Sequence, residues 1–142
     1  MLSGIFLYGE NMKRLLIAGV VLLVSASALA EDCDNAISQT EMNMCSADQY
    51  DKADKKLNQT WQTALKRATP QQRDLLKKAQ KNWIALRDAD CAFIGSGSEQ
   101  GSAQPMVINQ CMTDKTNERE AWLSSLLQCG EGDLSCPFPT AN

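Results

Sequence analysis

The chain has 142 residues, 14 basic and 17 acidic side chains, no histidine and six cysteines. Without histidine no Ser-His or Cys-His nucleophile can be assembled, and a mildly acidic balance disfavours nucleic acid and anionic lipid as partners. Its length admits one small domain.

The first thirty residues read as an export signal. From Met12 the stretch MKRLLIAGVVLLVSASALA places Lys13 and Arg14 before an apolar run, Leu15 to Val24, and closes on Ala28-Leu29-Ala30 as a small-residue cleavage site. The natural start is expected at Met12. The apolar run is short for a membrane span, which needs ~20 residues. Cys33 follows Glu31-Asp32, so no lipid-attachment site is expected. Cleavage after Ala30 leaves 112 residues. Losing Glu10, Lys13 and Arg14 reduces the charged set to 12 basic and 16 acidic, a net charge of −4. A soluble periplasmic or secreted protein without a membrane anchor is expected. Its domain should occupy residues 31–129, followed by a tail over 130–142.

The first helix opens on Ser38-Gln39-Thr40-Glu41, a capping signature. Tyr50, Ala53, Leu57, Trp61, Ala64 and Ala68 then recur at helical spacing, and the helix is expected to reach about Arg67. Asp48, Asp51, Lys55, Lys56 and Lys66 line its opposite face. The second helix starts at Thr69-Pro70 with Gln72 completing a reciprocal cap. The short junction predicts an antiparallel hairpin of the two helices. Leu76, Ala79, Trp83, Leu86 and Asp90, widened by Leu75 and Ile84, form the expected inward stripe. A Gly/Ser-rich stretch should end this helix near Phe93 or Ile94. The third helix runs from about Pro105 to Gln128, with Ile108, Cys111, Met112, Thr116, Arg119, Trp122, Leu123 and Leu126 inward. No segment alternates with a period of two. The expected fold is all-α, a small disulfide-bonded three-helix domain.

All six cysteines, Cys33, Cys45, Cys91, Cys111, Cys129 and Cys136, follow the signal, and an even number in a small exported domain reads as three disulfides. No C-x-x-C pair or histidine offers a zinc site, so neither metal nor cofactor is expected. Antiparallel packing gathers Cys33, Cys45, Cys91 and Cys111 at one end and leaves Cys129 to pair with Cys136. Three connectivities remain, of which Cys33–Cys45 with Cys91–Cys111 ties each irregular segment to its adjoining helix.

Catalytic groups are hard to find. Asp88 and Asp90 point to different sides of a helix, and a domain this small rarely encloses a sugar-binding cleft. Trp61, Trp83 and Trp122 fall on or beside inward stripes and read as core. Arg87 and Arg119 read as members of a structural polar network with Asp88 and with Glu41 or Asp54 as acidic partners. No enzymatic activity is expected.

The segments TEMNMC (Thr40 to Cys45), ADKKLN (Ala53 to Asn58), LKKAQKNWIALRDADC (Leu76 to Cys91), GSEQGSAQPM (Gly97 to Met106) and CMTDKTNEREAWL (Cys111 to Leu123) resemble the LprI-type lysozyme inhibitor family. The resemblance spans about Cys33 to Leu127. It implies an exported, helical, disulfide-bonded protein that binds and inhibits lysozyme and so protects peptidoglycan. The family's namesake is a lipoprotein, so its membrane anchoring does not carry over. No inhibitory residues are transferred. The residues themselves suggest that Gly97, Ser98, Glu99, Gln100, Gly101 and Ser102 form a clamped loop that plugs the cleft of a basic lysozyme. Asp48, Asp51 and Asp54 offer an alternative acidic docking face. A periplasmic binding or immunity module with a non-lysozyme partner is the competing function.

Overall fold

The structure is a computed structural model that describes residues 33–130 and 132–139. The expected signal segment, residues 1–30, lies outside them. A short 3-10 turn, Cys33–Asn35, precedes three helices: α1, Gln39–Arg67; α2, Pro70–Ser96; and α3, Gln104–Leu127. Strands are absent among the described residues. The fold is all-α.

Local chemistry sets the helix ends. The Ser38 hydroxyl accepts the Glu41 amide at 3.1 Å. The Glu41 carboxylate turns back to accept the Ile37 amide at 2.9 Å, one residue before the capping serine. At α2, Thr69 and Gln72 exchange hydrogen bonds reciprocally, 3.2 Å from the Gln72 amide and 3.0 Å from the Thr69 amide. Each cap satisfies amide donors that the first helical turn leaves without partners. α3 begins without a side-chain cap, and Pro105 occupies its first turn.

The packed α1–α2 hairpin expected from the short junction is not formed: the backbones of α1 and α2 come close at few points, and each packs chiefly on α3, α1 the more closely. Small side chains make this approach possible: Ser46, Ala53 and Ala64 are buried on α1, and Ala68 at its C-cap. Against them lie Thr116, Glu120 and Leu123 of α3, also buried. Leu57, Ala64 and Leu123 form the centre, and Trp61, Leu76, Trp83, Leu127 and Phe138 pack around it. Full burial of a leucine contributes roughly 1.5–3 kcal/mol. With so few large side chains fully buried, this core is thin.

Three disulfides reinforce it: Cys33–Cys45, Cys91–Cys111 and Cys129–Cys136. No described cysteine is free. In the chain-entropy account, closing a loop of about 20 residues stabilises by roughly 3 kcal/mol. The last bridge closes the tail, which Arg67 holds through hydrogen bonds to the carbonyls of Leu127 (2.6 Å) and Pro139 (3.1 Å).

The inward stripe of α2 differs from the sequence expectation. Leu76, Gln80, Trp83, Arg87 and Cys91 face the bundle, whereas Leu75, Ala79, Ile84 and Leu86 are exposed. α2 packs on α3 largely through long polar and aromatic side chains, so Leu75 and Leu86 are not drawn inward with Leu76. On α3, Trp122 is likewise 47% exposed. α2 also continues past Ile94 to Ser96.

Candidate functional site

The irregular stretch between Cys91 and Cys111 is shorter and more ordered than its composition suggests. Gly95 lies inside α2 and is buried, and a Cβ there would sit 2.5 Å from Ile108 Cγ1. Glycine therefore lets the end of α2 cross close to the start of α3. The Cys91–Cys111 disulfide, with Cα atoms 5.5 Å apart, fastens the same crossing. Only Gly97 to Ala103 remain between the helices, as successive turns.

Each part of that connection is tied down. The Ser98 amide and hydroxyl both donate to the Gly95 carbonyl at 3.1 Å, and the Gln104 side chain joins them at 3.2 Å. Backbone bonds from Gly101 to Ser98 and from Gln104 to Gly101 continue the chain of turns. Asn43 of α1 donates to the Ser102 carbonyl at 2.9 Å and anchors the far side. Gln100 adopts the left-handed conformation, φ 64°. The Gly/Ser-rich loop expected from the sequence is thus a compact knuckle. Glu99 is exposed on it, beside exposed Gly97, Gln100, Gly101 and Ser102, with Ser98 half-buried.

The same end of the bundle carries the Cys33–Cys45 bridge. The alternative acidic face lies further along α1, with Asp51 exposed and Asp48 and Asp54 half-buried. Asp54 accepts a hydrogen bond from Asn58 at 3.4 Å.

The polar network takes a different form from the expected one. Arg87 is buried, pairs with Asp88 at 3.0 Å, donates to Thr116 Oγ1 at 3.4 Å, and lies over the rings of Trp83 and Tyr50. Arg119 does not meet Glu41 or Asp54. Its Nε donates to Gln80 Oε1 at 3.0 Å, and its guanidinium lies over Trp122 and Trp83, at 4.4 and 5.5 Å from the ring centres. Glu41 is spent on the α1 cap, and Asp54 sits with Asn58 on α1. Aromatic faces supply the negative potential that a carboxylate was expected to supply. Arg119 Nη2 is buried with no hydrogen-bond partner, and burial lowers the guanidinium's pKa.

Sequence reasoning missed several buried polar groups, Glu120 and Gln80 among them. Glu120 accepts from Thr60 at 2.8 Å and pairs with Lys56 at 3.7 Å, joining α3 to α1. Gln80 holds Arg119. Their signal was present: both fall on the helical spacing of the inward stripes, at positions where an apolar residue was looked for.

Beside Arg119 a groove of about 300 Å³ opens between α2 and α3, lined among others by Trp83, Asp90, Lys115, Glu118 and Trp122. Asp90 pairs with Lys115 at 3.1 Å, and Asp88 with Arg87. Each of these carboxylates therefore has its own cation and stands apart from the other. A second groove of about 490 Å³, more apolar, lies between α2, α3 and the tail, with Leu75, Leu76, Ala79, Trp122, Leu126 and Phe138 among its walls. No helix among the described residues is long and apolar enough to cross a membrane.

Comparison with known proteins bears on this arrangement. No solved structure matches the chain. A relative described as an uncharacterized protein, from Rhizobium meliloti (strain 1021), is 32% identical over 113 residues, covering 70% of this chain and 81% of its own length. The family model described as "Lysozyme inhibitor LprI" matches residues 31–123, which takes in α1, α2, the knuckle and most of α3. The chain belongs to the LprI lysozyme inhibitor family.

Proposed function

We propose that this protein is exported, acts as a soluble periplasmic or secreted binder, and inhibits lysozyme by presenting the Gly97–Ser102 knuckle to the enzyme's cleft. The observation that carries the reading is an exposed turn fastened to Gly95 through Ser98 and to Asn43 through Ser102, beside the Cys91–Cys111 disulfide, with Glu99 exposed on it. Membership of the family supplies the target class.

A preorganised turn loses little conformational freedom on binding, so more of its contact energy appears as affinity. Glu99 would meet the basic rim or the hydrogen-bond donors of a lysozyme cleft. The net charge of −4 on the exported chain would speed encounter with a basic enzyme. The protein acts by occupancy and turns over no peptidoglycan itself.

The test is inhibition of c-type, g-type and i-type lysozymes on peptidoglycan, with Glu99→Ala and Glu99→Lys variants. Both variants should keep the thermal stability of the parent, because Glu99 is exposed and makes no described bond through its side chain. Both should inhibit more weakly, Glu99→Lys the more so, and association should slow with added salt. Full inhibition by both folded variants would remove the knuckle from the mechanism and turn attention to Asp48, Asp51 and Asp54. Failure of the parent protein to inhibit any lysozyme class would refute the function itself.

A further inference from the structure

Trp122 is not the core residue that its helical spacing suggests. Its side chain borders the groove between α2 and α3 and stays 47% exposed. Each helix lines this groove with residues at i, i+3, i+4 and i+7, from Trp83 to Asp90 on α2 and from Lys115 to Trp122 on α3. That spacing keeps each set on one helical face over roughly 10 Å. The two ends of the groove differ in character. Trp83 and Trp122 meet around Arg119 at one end, and the Asp90–Lys115 ion pair closes the other.

We infer that this groove binds a pyranose oligosaccharide of no net charge, with one sugar ring laid against the Trp122 indole. The platform is the first reason. A pyranose presents a face of C–H bonds, and an indole offers the apolar, electron-rich surface on which such a face packs. The indole is also fixed beforehand. The Arg119 guanidinium lies 4.4 Å from the centre of the Trp122 ring and 5.5 Å from that of Trp83, and Gln80 holds its Nε at 3.0 Å. Arg119 covers part of the Trp122 ring and leaves nearly half of the side chain exposed. A ring so held loses little freedom when a ligand arrives.

Charge selects the ligand class. Arg87 is paired with Asp88 and Lys115 with Asp90. Arg119 and Glu118 are left, one of each sign, and Glu118 is exposed and joins no described ion pair. A carboxylate ligand would gain Arg119 but face Glu118 and Asp90. An ammonium ligand would gain Glu118 but face Arg119 and Lys115. Hydroxyl groups both donate and accept, so they use a neighbouring guanidinium and carboxylate together.

Size agrees. A volume of about 300 Å³ stands at the low end of small-molecule sites and suits a short saccharide. The inference is independent of the knuckle. Glu118, at the middle of the groove, lies about 20 Å along α3 from the helix start, where the knuckle ends. A saccharide in the groove would therefore leave the knuckle free for its own partner.

The test is titration of the exported protein with tri-N-acetylchitotriose, cellotriose and maltotriose, followed through the indole and arginine Nε–H signals in proton–nitrogen NMR spectra. At least one of these saccharides should bind with a dissociation constant of about 1 mM or below. The Trp122 indole and Arg119 Nε–H signals should move, while that of Trp61, which does not line the groove, should stay. Trp122→Ala should weaken binding about tenfold or more, as for loss of a main contact. Glu118→Ala should weaken it about tenfold, as for loss of a hydrogen bond to a charged group. Glu118 is exposed, so this variant should melt like the parent and decides the matter even if Trp122→Ala folds poorly. No binding of any of the three up to about 10 mM would overturn the inference, as would affinity unchanged in both variants. Signal changes confined to the knuckle or to Phe138 would equally overturn the placement. Salt-sensitive binding of hexaglutamate at Trp122, with no saccharide bound, would overturn the ligand class.

Discussion

Gly95→Ala sets two well-calibrated effects against each other. Alanine is favoured over glycine inside a helix by about 1 kcal/mol. Gly95 has ordinary helical surroundings in α2, so intrinsic propensity alone predicts that the variant is more stable. The new Cβ, however, would stand 2.5 Å from Ile108 Cγ1 and 2.9 Å from its Cδ1. Cγ1 lies near the root of a branched side chain, so a simple swing of its tip gives no relief. Either Ile108 leaves its rotamer or the helices part, and the Cys91–Cys111 bridge one turn away resists parting. Overpacking of this kind costs about 1–3 kcal/mol. The clash should win, leaving Gly95→Ala destabilised by roughly 1 kcal/mol, a fall of about 4 °C in Tm for a domain this size. In an Ile108→Ala background the obstacle is gone and only propensity remains. There the same substitution should stabilise by up to about 1 kcal/mol. The double-mutant cycle, read by circular dichroism melts at 222 nm, therefore predicts a change of sign. If Gly95→Ala raised Tm in the parent chain, the close crossing of α2 and α3 would be wrong.

Three further outcomes are expected. Arg119→Ala should lose about 1–2 kcal/mol by stranding the buried Gln80 carbonyl, while Arg119→Met with Gln80→Leu should recover most of it, because removing both polar partners avoids the unpaired group; chemical denaturation distinguishes the two, and equal stability of both single and paired variants would refute the account. Replacing Cys129 and Cys136 by serine should cost up to about 2.5 kcal/mol by the loop-entropy relation, with a disproportionate fall in protection for the Phe138 segment, measured by hydrogen exchange. Burial raises the Tyr50 pKa, opposed by Arg87 and assisted by Asp54, Asp88 and Asp51. Its folded value thus exceeds the unfolded one, so its contribution is complete below about pH 10 and is lost as pH rises through the raised value. Tyr50→Phe should flatten the alkaline decline in stability. Tyr50 is the sole tyrosine after the signal segment, so absorbance titration reads it directly.

The sequence by itself determined the elements that depend on near neighbours. Ser38, Thr69, Pro70 and Gln72 announce the starts of α1 and α2, because capping is a matter of backbone donors three residues away. Helical spacing located α1 through Ala53, Leu57 and Ala64, whose small and apolar side chains face the same neighbour along the whole helix. The family was legible too, in motifs that run from Thr40 to Leu123. Tertiary structure alone decided which stripe of α2 faces inward. Leu75 and Leu86 are more hydrophobic than Gln80 and Arg87, yet the polar pair is buried. Trp83 and Trp122 offer Arg119 two aromatic faces, and Thr116 serves Arg87 from another helix, from positions distant in sequence or visible only once the helices are paired, whereas Asp88 beside Arg87 was legible. The knuckle followed the same rule. Its glycines and serines read as flexible by composition, but Gly95 is required by Ile108 thirteen residues on, and Ser102 is held by Asn43 from another helix. Burial and order are properties of the assembled partners, and a linear pattern carries only the half of each contact that lies on its own segment.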